Sequence, residues 1–219
     1  EYLVNTLVVA VISTILALII GIPAAYALSR FPSYVSAILL VLALVFRALP
    51  RFAVVLPMYE VVQAGVYYNT TGVIDADGSF LGKYRKNHIP QVDPGFYEKF
   101  FFKPGDLGYP VFETAYVKLG VYICYDRHFP EYIRALTLAG ADLVLVPQAG
   151  AVGEWPEGLY EAEMRVAAFQ NGYYVAFCNR IGREDCLEFS GESFVCGPDG
   201  AVVARAGLGT EEILYADVD

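Results

Sequence analysis

Hydrophobic and polar positions follow different rhythms in the two parts of this chain. From Tyr2 to Ser29 no charged side chain interrupts a run dominated by Leu, Val, Ile and Ala. That run exceeds the roughly 20 apolar residues needed to cross ~30 Å of hydrocarbon. Gly21 and Pro23 lie inside it, and membrane helices tolerate both. Phe31 to Phe46 is a second uncharged run, closed by Arg47, Pro50 and Arg51. The pattern predicts an N-terminal transmembrane α-helical hairpin with Arg30 in a cytoplasmic turn. A secretory signal is the competing reading, but it calls for a basic start and a core of ~7–15 residues, whereas this chain starts at Glu1. Residues 52–59 are apolar again and too short to span alone.

Beyond residue 65 the period shortens and alternates. Val66–Ile74 is rich in β-formers, Asp75-Ala76-Asp77-Gly78 is a turn signal, and Ser79–Arg85 returns as a strand. Tyr116–Ile123 reads as a buried strand. Glu131–Ala139 has helical spacing and stops at Gly140, and Asp142–Val146 is again a strand. Leu159–Gln170 is an amphipathic helix closed by Asn171-Gly172. Tyr173–Cys178 is a strand, and Ser193–Gly197 with Ala201–Arg205 form a hairpin around Pro198-Asp199-Gly200. Alternating strands and helices imply an α/β layered domain.

Charge sharpens the division. The first 64 of the 219 residues hold five charged side chains with a net of +1, and the remainder carries a net of −10. The sequence therefore divides into a membrane-spanning segment, 1–64, and an acidic domain, 65–219. A net charge of −9 and a pI of about 4.7 argue against a nucleic-acid binder. The four cysteines, at 124, 178, 186 and 196, show no C-x-x-C spacing, and there are two histidines. No metal site and no cofactor are expected from such a set, and the thiols read as reduced.

Cys124 follows one predicted strand and precedes a helix that begins near Pro130. A nucleophile on a strand-to-helix turn projects from the sheet edge, and the amide of the next residue, Tyr125, then faces the oxygen that becomes negative during attack. The alternative is an inert buried cysteine. Lys86, in Tyr84-Arg85-Lys86-Asn87-His88-Ile89-Pro90, stands at a strand end; near a thiol it would favour the thiolate and an oxyanion, and otherwise it is a solvated surface charge. Glu98 lies among aromatics in Pro94-Gly95-Phe96-Tyr97-Glu98-Lys99-Phe100. It is either a partly desolvated acid suited to proton exchange or a loop carboxylate paired to Lys99 or Lys103. Phe96–Phe102 suits a core and pocket wall better than an interface.

Two resemblances follow from these strings. Gly21-Ile22-Pro23-Ala24-Ala25-Tyr26-Ala27-Leu28-Ser29-Arg30-Phe31, with Arg47-Ala48-Leu49-Pro50 and Leu56-Pro57-Met58-Tyr59, is similar to the inner-membrane permease subunits of ABC sugar importers, over residues 3–63. Gly82-Lys83-Tyr84-Arg85-Lys86-Asn87-His88-Ile89-Pro90, residues 94–100 and Gly120-Val121-Tyr122-Ile123-Cys124-Tyr125-Asp126-Arg127-His128-Phe129-Pro130-Glu131 resemble, in that order, the carbon–nitrogen hydrolase (nitrilase) superfamily. This second resemblance extends over residues 65–219 and implies an αββα sandwich, truncated here to one layer.

It also implies roles. Cys124 would be the nucleophile, Lys86 the oxyanion stabiliser, Glu98 a supporting glutamate, and Tyr125 a substrate contact. The chemistry would be attack on an amide, nitrile or carbamoyl carbon through a thioester. Arg127, three residues after the cysteine, would hold the carboxylate of an N-carbamoyl amino acid or ureido acid with its guanidinium fork, unless it pairs with Asp126 or Glu131. The family's general-base glutamate has no counterpart, because Glu60 stands only 26 positions ahead of Lys86 inside the permease-like string. An impaired amidohydrolase is therefore expected. Its partners would be a small amide or N-carbamoyl substrate, the membrane through residues 2–63, and a second copy or a complete hydrolase subunit. A membrane location follows for the first part, with the hydrolase part in the cytoplasm. Residues 211–219 would form the last core strand. The competing functions are a transport component and a non-catalytic partner of a complete hydrolase.

Overall fold

Residues 54–219, together with Ile15 and Ile19, are described by the computed structural model. The permease-like string up to residue 53 and the hairpin of membrane helices expected there lie outside the described residues. Among those described, no helix is long and apolar enough to cross a membrane.

The first element is a correction. Residues 54–63, expected to belong to a helical membrane segment, form strand β1 (Val54–Gln63), paired antiparallel with β2 (Val66–Ile74). The β-branched Val54, Val55, Val61 and Val62 suit an extended chain. Pro57, which has no N–H to give, is tolerated because β1 is the edge strand of the sheet β1-β2-β3. The boundary placed at residue 64 therefore cuts through a hairpin. β3 (Phe80–Arg85) completes this sheet antiparallel to β2.

Side chains alternate across the sheet with a period of two, so register decides what each face carries. Glu60 lies opposite Tyr68, and Thr70 opposite Arg85. One face thus gathers an ionic network: Arg85 donates to both oxygens of Glu60, at 2.8 and 2.6 Å, and Thr70 and Lys83 donate to the same carboxylate. These hydrogen bonds, with Arg85 foremost, hold the Glu60 carboxyl down at about 2. The opposite face carries Asn69, Tyr84 and, one residue past the strand, Lys86. A carboxylate whose folded pKa is depressed stabilises the fold above its unfolded pKa, and that contribution is lost as pH falls towards 2. Glu60→Gln is expected to lower stability by about 1–2 kcal/mol at pH 7 and to flatten the decline between pH 5 and 2, as read from thermal melts across that range.

The second sheet has the order β11-β10-β7-β6-β5-β4. Its centre is parallel: β5 (Lys118–Val121), β6 (Leu143–Gln148) and β7 (Tyr174–Asn179). β4 (Val111–Glu113), β10 (Phe194–Cys196) and β11 (Val202–Arg205) extend it antiparallel. Parallel neighbours require crossovers, supplied by α1 (Pro130–Leu138) and α2 (Leu159–Asn171). α1 starts with proline at its first position, and the helices end before Gly140 and Gly172, both left-handed at φ 87° and 71°.

Val144, Val146, Val175 and Phe177 are buried in one core with Tyr132 and Leu136 of α1 and Met164, Ala167 and Ala168 of α2. The alternate positions Leu145, Pro147 and Cys178 line a cavity instead. Val73 and Tyr84 join the same core, linking the three-stranded sheet to it.

A short hairpin, β8 (Ile181–Glu184) with β9 (Leu187–Ser190), was not anticipated. Residues 211–219, expected as a final strand, pair with no strand; Glu212 instead accepts from the Gly207 amide and the Thr210 hydroxyl.

Candidate active site

Lys86, Glu98 and Cys124 all line one cavity of about 650 Å³. They arrive from three different places. Lys86 follows β3, and its backbone amide continues the ladder to the Asn69 carbonyl at 2.8 Å. Glu98 opens a 3-10 turn, Glu98–Phe100. Cys124 opens another, Cys124–His128, directly after the extended Ile123.

Lys86 is not a surface charge. Its side chain has no solvent exposure, and its Nζ donates to both Glu98 oxygens at 2.8 and 2.9 Å. An ammonium enclosed in this way needs its counter-ion. Glu98 is held in turn by the Asn69 amide at 3.2 Å, so it pairs with neither Lys99 nor Lys103. Phe96 lines the cavity beside it, while Phe100 and Phe101 are 78% and 61% exposed; the aromatic run is only in part a pocket wall.

Cys124 has φ 49°, a left-handed conformation uncommon for a residue with a Cβ. The strained turn agrees with the expected nucleophile elbow. Tyr125 follows within the 3-10 turn, where the first amides have no acceptor of their own. Its ring stands edge-on to His128 and Phe129 and lines a separate cleft with His88. The Tyr125 ring thus faces away from the cavity that Cys124 lines.

Arg127 stands away from that cavity as well. It is buried and is not among the residues lining the cavity, with Nε and Nη1 engaged and Nη2 buried without a partner among the described residues. Nε donates to Glu163 at 3.0 Å and Nη1 to Gln148 at 2.7 Å, with the plane 4.3 Å from the Tyr160 ring centroid. Neither Asp126 nor Glu131 is its partner; Glu163 lies 36 positions away, on α2. Nη1 also approaches Cys124 Sγ at 3.9 Å. Because arginine only donates, the Gln148 atom facing it must be the carbonyl oxygen.

Sequence reasoning missed Asn69, Gln148, Asn179 and the pair Arg180–Glu184 (3.0 Å), all lining the cavity. Asn179 and Arg180 stand in Asn179-Arg180-Ile181-Gly182, a string that fits the nitrilase resemblance, but nothing in the strings around Asn69, Gln148 and Glu184 marks them. The carboxylates among the described lining residues are Glu98 and Glu184, both engaged by cations. Glu60, saturated on the outer face of its sheet, is not one of them. Of the other thiols, Cys178 shares the cavity, with its pKa raised by burial; Cys186 is exposed on the hairpin; burial pushes Cys196 up to about 12.

Comparison with known proteins places this geometry. The carbon-nitrogen hydrolase family profile matches residues 50–219, which takes in Leu56-Pro57-Met58-Tyr59 from the permease-like string. The chain is 41% identical to the N-carbamoylputrescine amidase of Solanum tuberosum, over 77% of this chain and 61% of that protein. It is 37% identical to the beta-ureidopropionase of Arabidopsis thaliana, over 70% of this chain and 41% of that protein. Among solved structures, a carbon-nitrogen hydrolase from Helicobacter pylori G27 superposes with a TM-score of 0.71 at 37% identity, covering 76% of this chain and 61% of that one. A glutamate-to-glutamine mutant of the amidase from Nesterenkonia sp. AN1, with acrylamide added at its active-site cysteine, superposes at 0.69 with 31% identity, covering 77% of this chain and 64% of that one. The chain thus spans about three fifths of the length of these amidases. With the profile covering all of the second part and an α/β sandwich shared at this identity, the chain belongs to the carbon-nitrogen hydrolase (nitrilase) family.

Proposed function

We propose that this chain hydrolyses the C–N bond of a small amide or N-carbamoyl compound, with Cys124 as nucleophile. The observation that carries the reading is the convergence of Cys124, Lys86 and Glu98 on one cavity from positions far apart in the chain. The Cys124 sulfur attacks the carbonyl carbon, and the oxygen that gains charge is met by the Lys86 ammonium and the Tyr125 amide. Collapse expels ammonia or an amine and leaves a thioester, which water opens to release the acid and free the thiol. Glu98 keeps Lys86 aimed.

The carboxylate-binding role expected of Arg127 is not part of this reading, since the side chain does not line the cavity and its Nε and Nη1 are held by Glu163 and Gln148. Slow turnover is part of it, because both carboxylates of the described cavity wall already serve cations, leaving neither free to take the thiol proton.

The test is covalent capture, which does not depend on turnover. The full chain is treated with fluoroacetamide and digested, and each cysteine peptide is quantified. Cys124 is expected to acquire the acetamide group, with protection by an N-carbamoyl compound and loss of the adduct in Cys124→Ala. Exposed Cys186 is the internal standard; its modification alongside an untouched Cys124 would overturn the reading.

A further inference from the structure

We propose that Asp126 is a positioning residue, its buried carboxylate fastening the turn that carries Cys124 to the strand end that carries Lys86. Asp126 has no solvent exposure. Its Oδ2 accepts from the Ile123 amide at 3.0 Å, the residue immediately before the nucleophile, and from the Tyr84 hydroxyl at 2.8 Å. Its Oδ1 accepts from the His88 amide at 2.8 Å and faces His88 Nδ1 at 2.9 Å. Tyr84 and His88 stand two residues before and after Lys86, so one carboxylate grips the lysine segment on both sides and the nucleophile turn at once.

The grip is itself braced. Tyr84 stacks on Tyr132 of α1 with centroids 5.3 Å apart, and His88 stacks on Phe129 at 3.6 Å. An ionised carboxylate accepts at both oxygens and donates nothing, and bonds to a charged acceptor are the stronger kind. Four donors converging on a buried charge also compensate its desolvation. An asparagine would turn one oxygen into a donor. It would then face either the Tyr84 hydroxyl and Ile123 amide or the two His88 nitrogens, and one side of the clamp would open. Asp126 does not line the cavity, so it acts through the placement of Lys86 relative to Cys124.

This inference rests on reading Lys86 as the group that stabilises charge on the substrate oxygen, and the experiment separates the two. When a thiolate adds to the terminal carbon of acrylamide, the electron pair moves onto the amide oxygen until the adjacent carbon takes a proton. Displacement of iodide from iodoacetamide builds no such charge. Thiolate fraction affects both reactions alike, so the ratio of their rates at Cys124 reports on the lysine's placement.

The ratio is measured by peptide mapping on the full chain for wild type, Asp126→Asn, Tyr84→Phe and Lys86→Met, with folding followed by circular dichroism. Asp126→Asn is expected to lower the ratio about tenfold or more and Tyr84→Phe by a smaller factor. If Lys86→Met lowers the ratio while the other two leave it at the wild-type value, Asp126 is merely structural and the inference falls. Should Asp126→Asn not fold, Tyr84→Phe decides in the same way. An unchanged ratio in Lys86→Met would instead overturn the role of the lysine, and with it anything built on its placement.

Discussion

Lys86→Met is expected to slow acrylamide addition at Cys124 by about 10²–10³-fold, the usual effect of removing one oxyanion donor, while iodoacetamide alkylation changes far less. The same substitution is expected to destabilise the chain. Glu98, with a side chain 22% exposed, would lose the cation that both its oxygens contact. Removing one member of a fully enclosed ion pair costs about 3–5 kcal/mol, and partial solvation of Glu98 brings the expected loss to about 2–3 kcal/mol. The two consequences have different cures. In Lys86→Met/Glu98→Leu no charge is left stranded, so thermal stability is expected to return while acrylamide addition stays slow. Recovery of both would mean that the pair serves only the fold. Recovery of neither would mean that the apolar pair does not fit the space.

Gly105→Ala is expected to lower stability by about 3 kcal/mol, since the collision is with backbone rather than with the end of a flexible side chain. A Cβ at this position would sit 2.1 Å from the Arg85 carbonyl oxygen and 2.7 Å from Asn87 Oδ1. The Gly105 amide also donates to the Lys86 carbonyl at 2.8 Å. Relief requires the loop that carries Gly105 and the segment that presents Lys86 to part. For a chain of this length the loss corresponds to a fall of roughly 6–12 °C in Tm, with a lower acrylamide-to-iodoacetamide ratio as the site loosens. A variant that melts with the wild type would show that residues 85–87 do not lean on Gly105.

Much of the fold was legible because it is written in local rhythm. β2, its Asp-Ala-Asp-Gly turn and β3 fall where alternation and turn residues put them; so do α1 and α2, each stopped by a glycine, and the β10–β11 hairpin. β1 was misread for a physical reason. Apolarity alone does not separate a membrane run from a strand, and what makes Val54–Gln63 a strand is the ladder to β2, whose partners include Ile74 and Asn69. Residues 211–219 failed in the opposite direction, since they carry β-forming residues yet join no sheet of the described structure.

The site divides in the same way. Cys124, Lys86 and Glu98 became candidates because each sits in a string that resembles the nitrilase superfamily; local chemistry alone left an inert thiol, a surface charge and a loop carboxylate open. Arg127 could not be assigned that way. A guanidinium three residues after a cysteine has the right chemistry for a carboxylate, yet the carboxylate it meets is Glu163, brought in by α2. Asn69 and Asp126 carry no local mark, and their importance comes from partners 29 to 42 positions distant.

Sequence alone therefore determined β2, β3, the two helices and the β10–β11 hairpin, and which side chains have the chemistry for acyl transfer, because these depend on neighbours within a few residues. Tertiary structure decided which face each side chain takes and which charges neutralise one another. Those outcomes follow from strand order and register, where a shift of one residue would send Lys86 to the face of Glu60 and Arg85, away from Glu98 and Cys124.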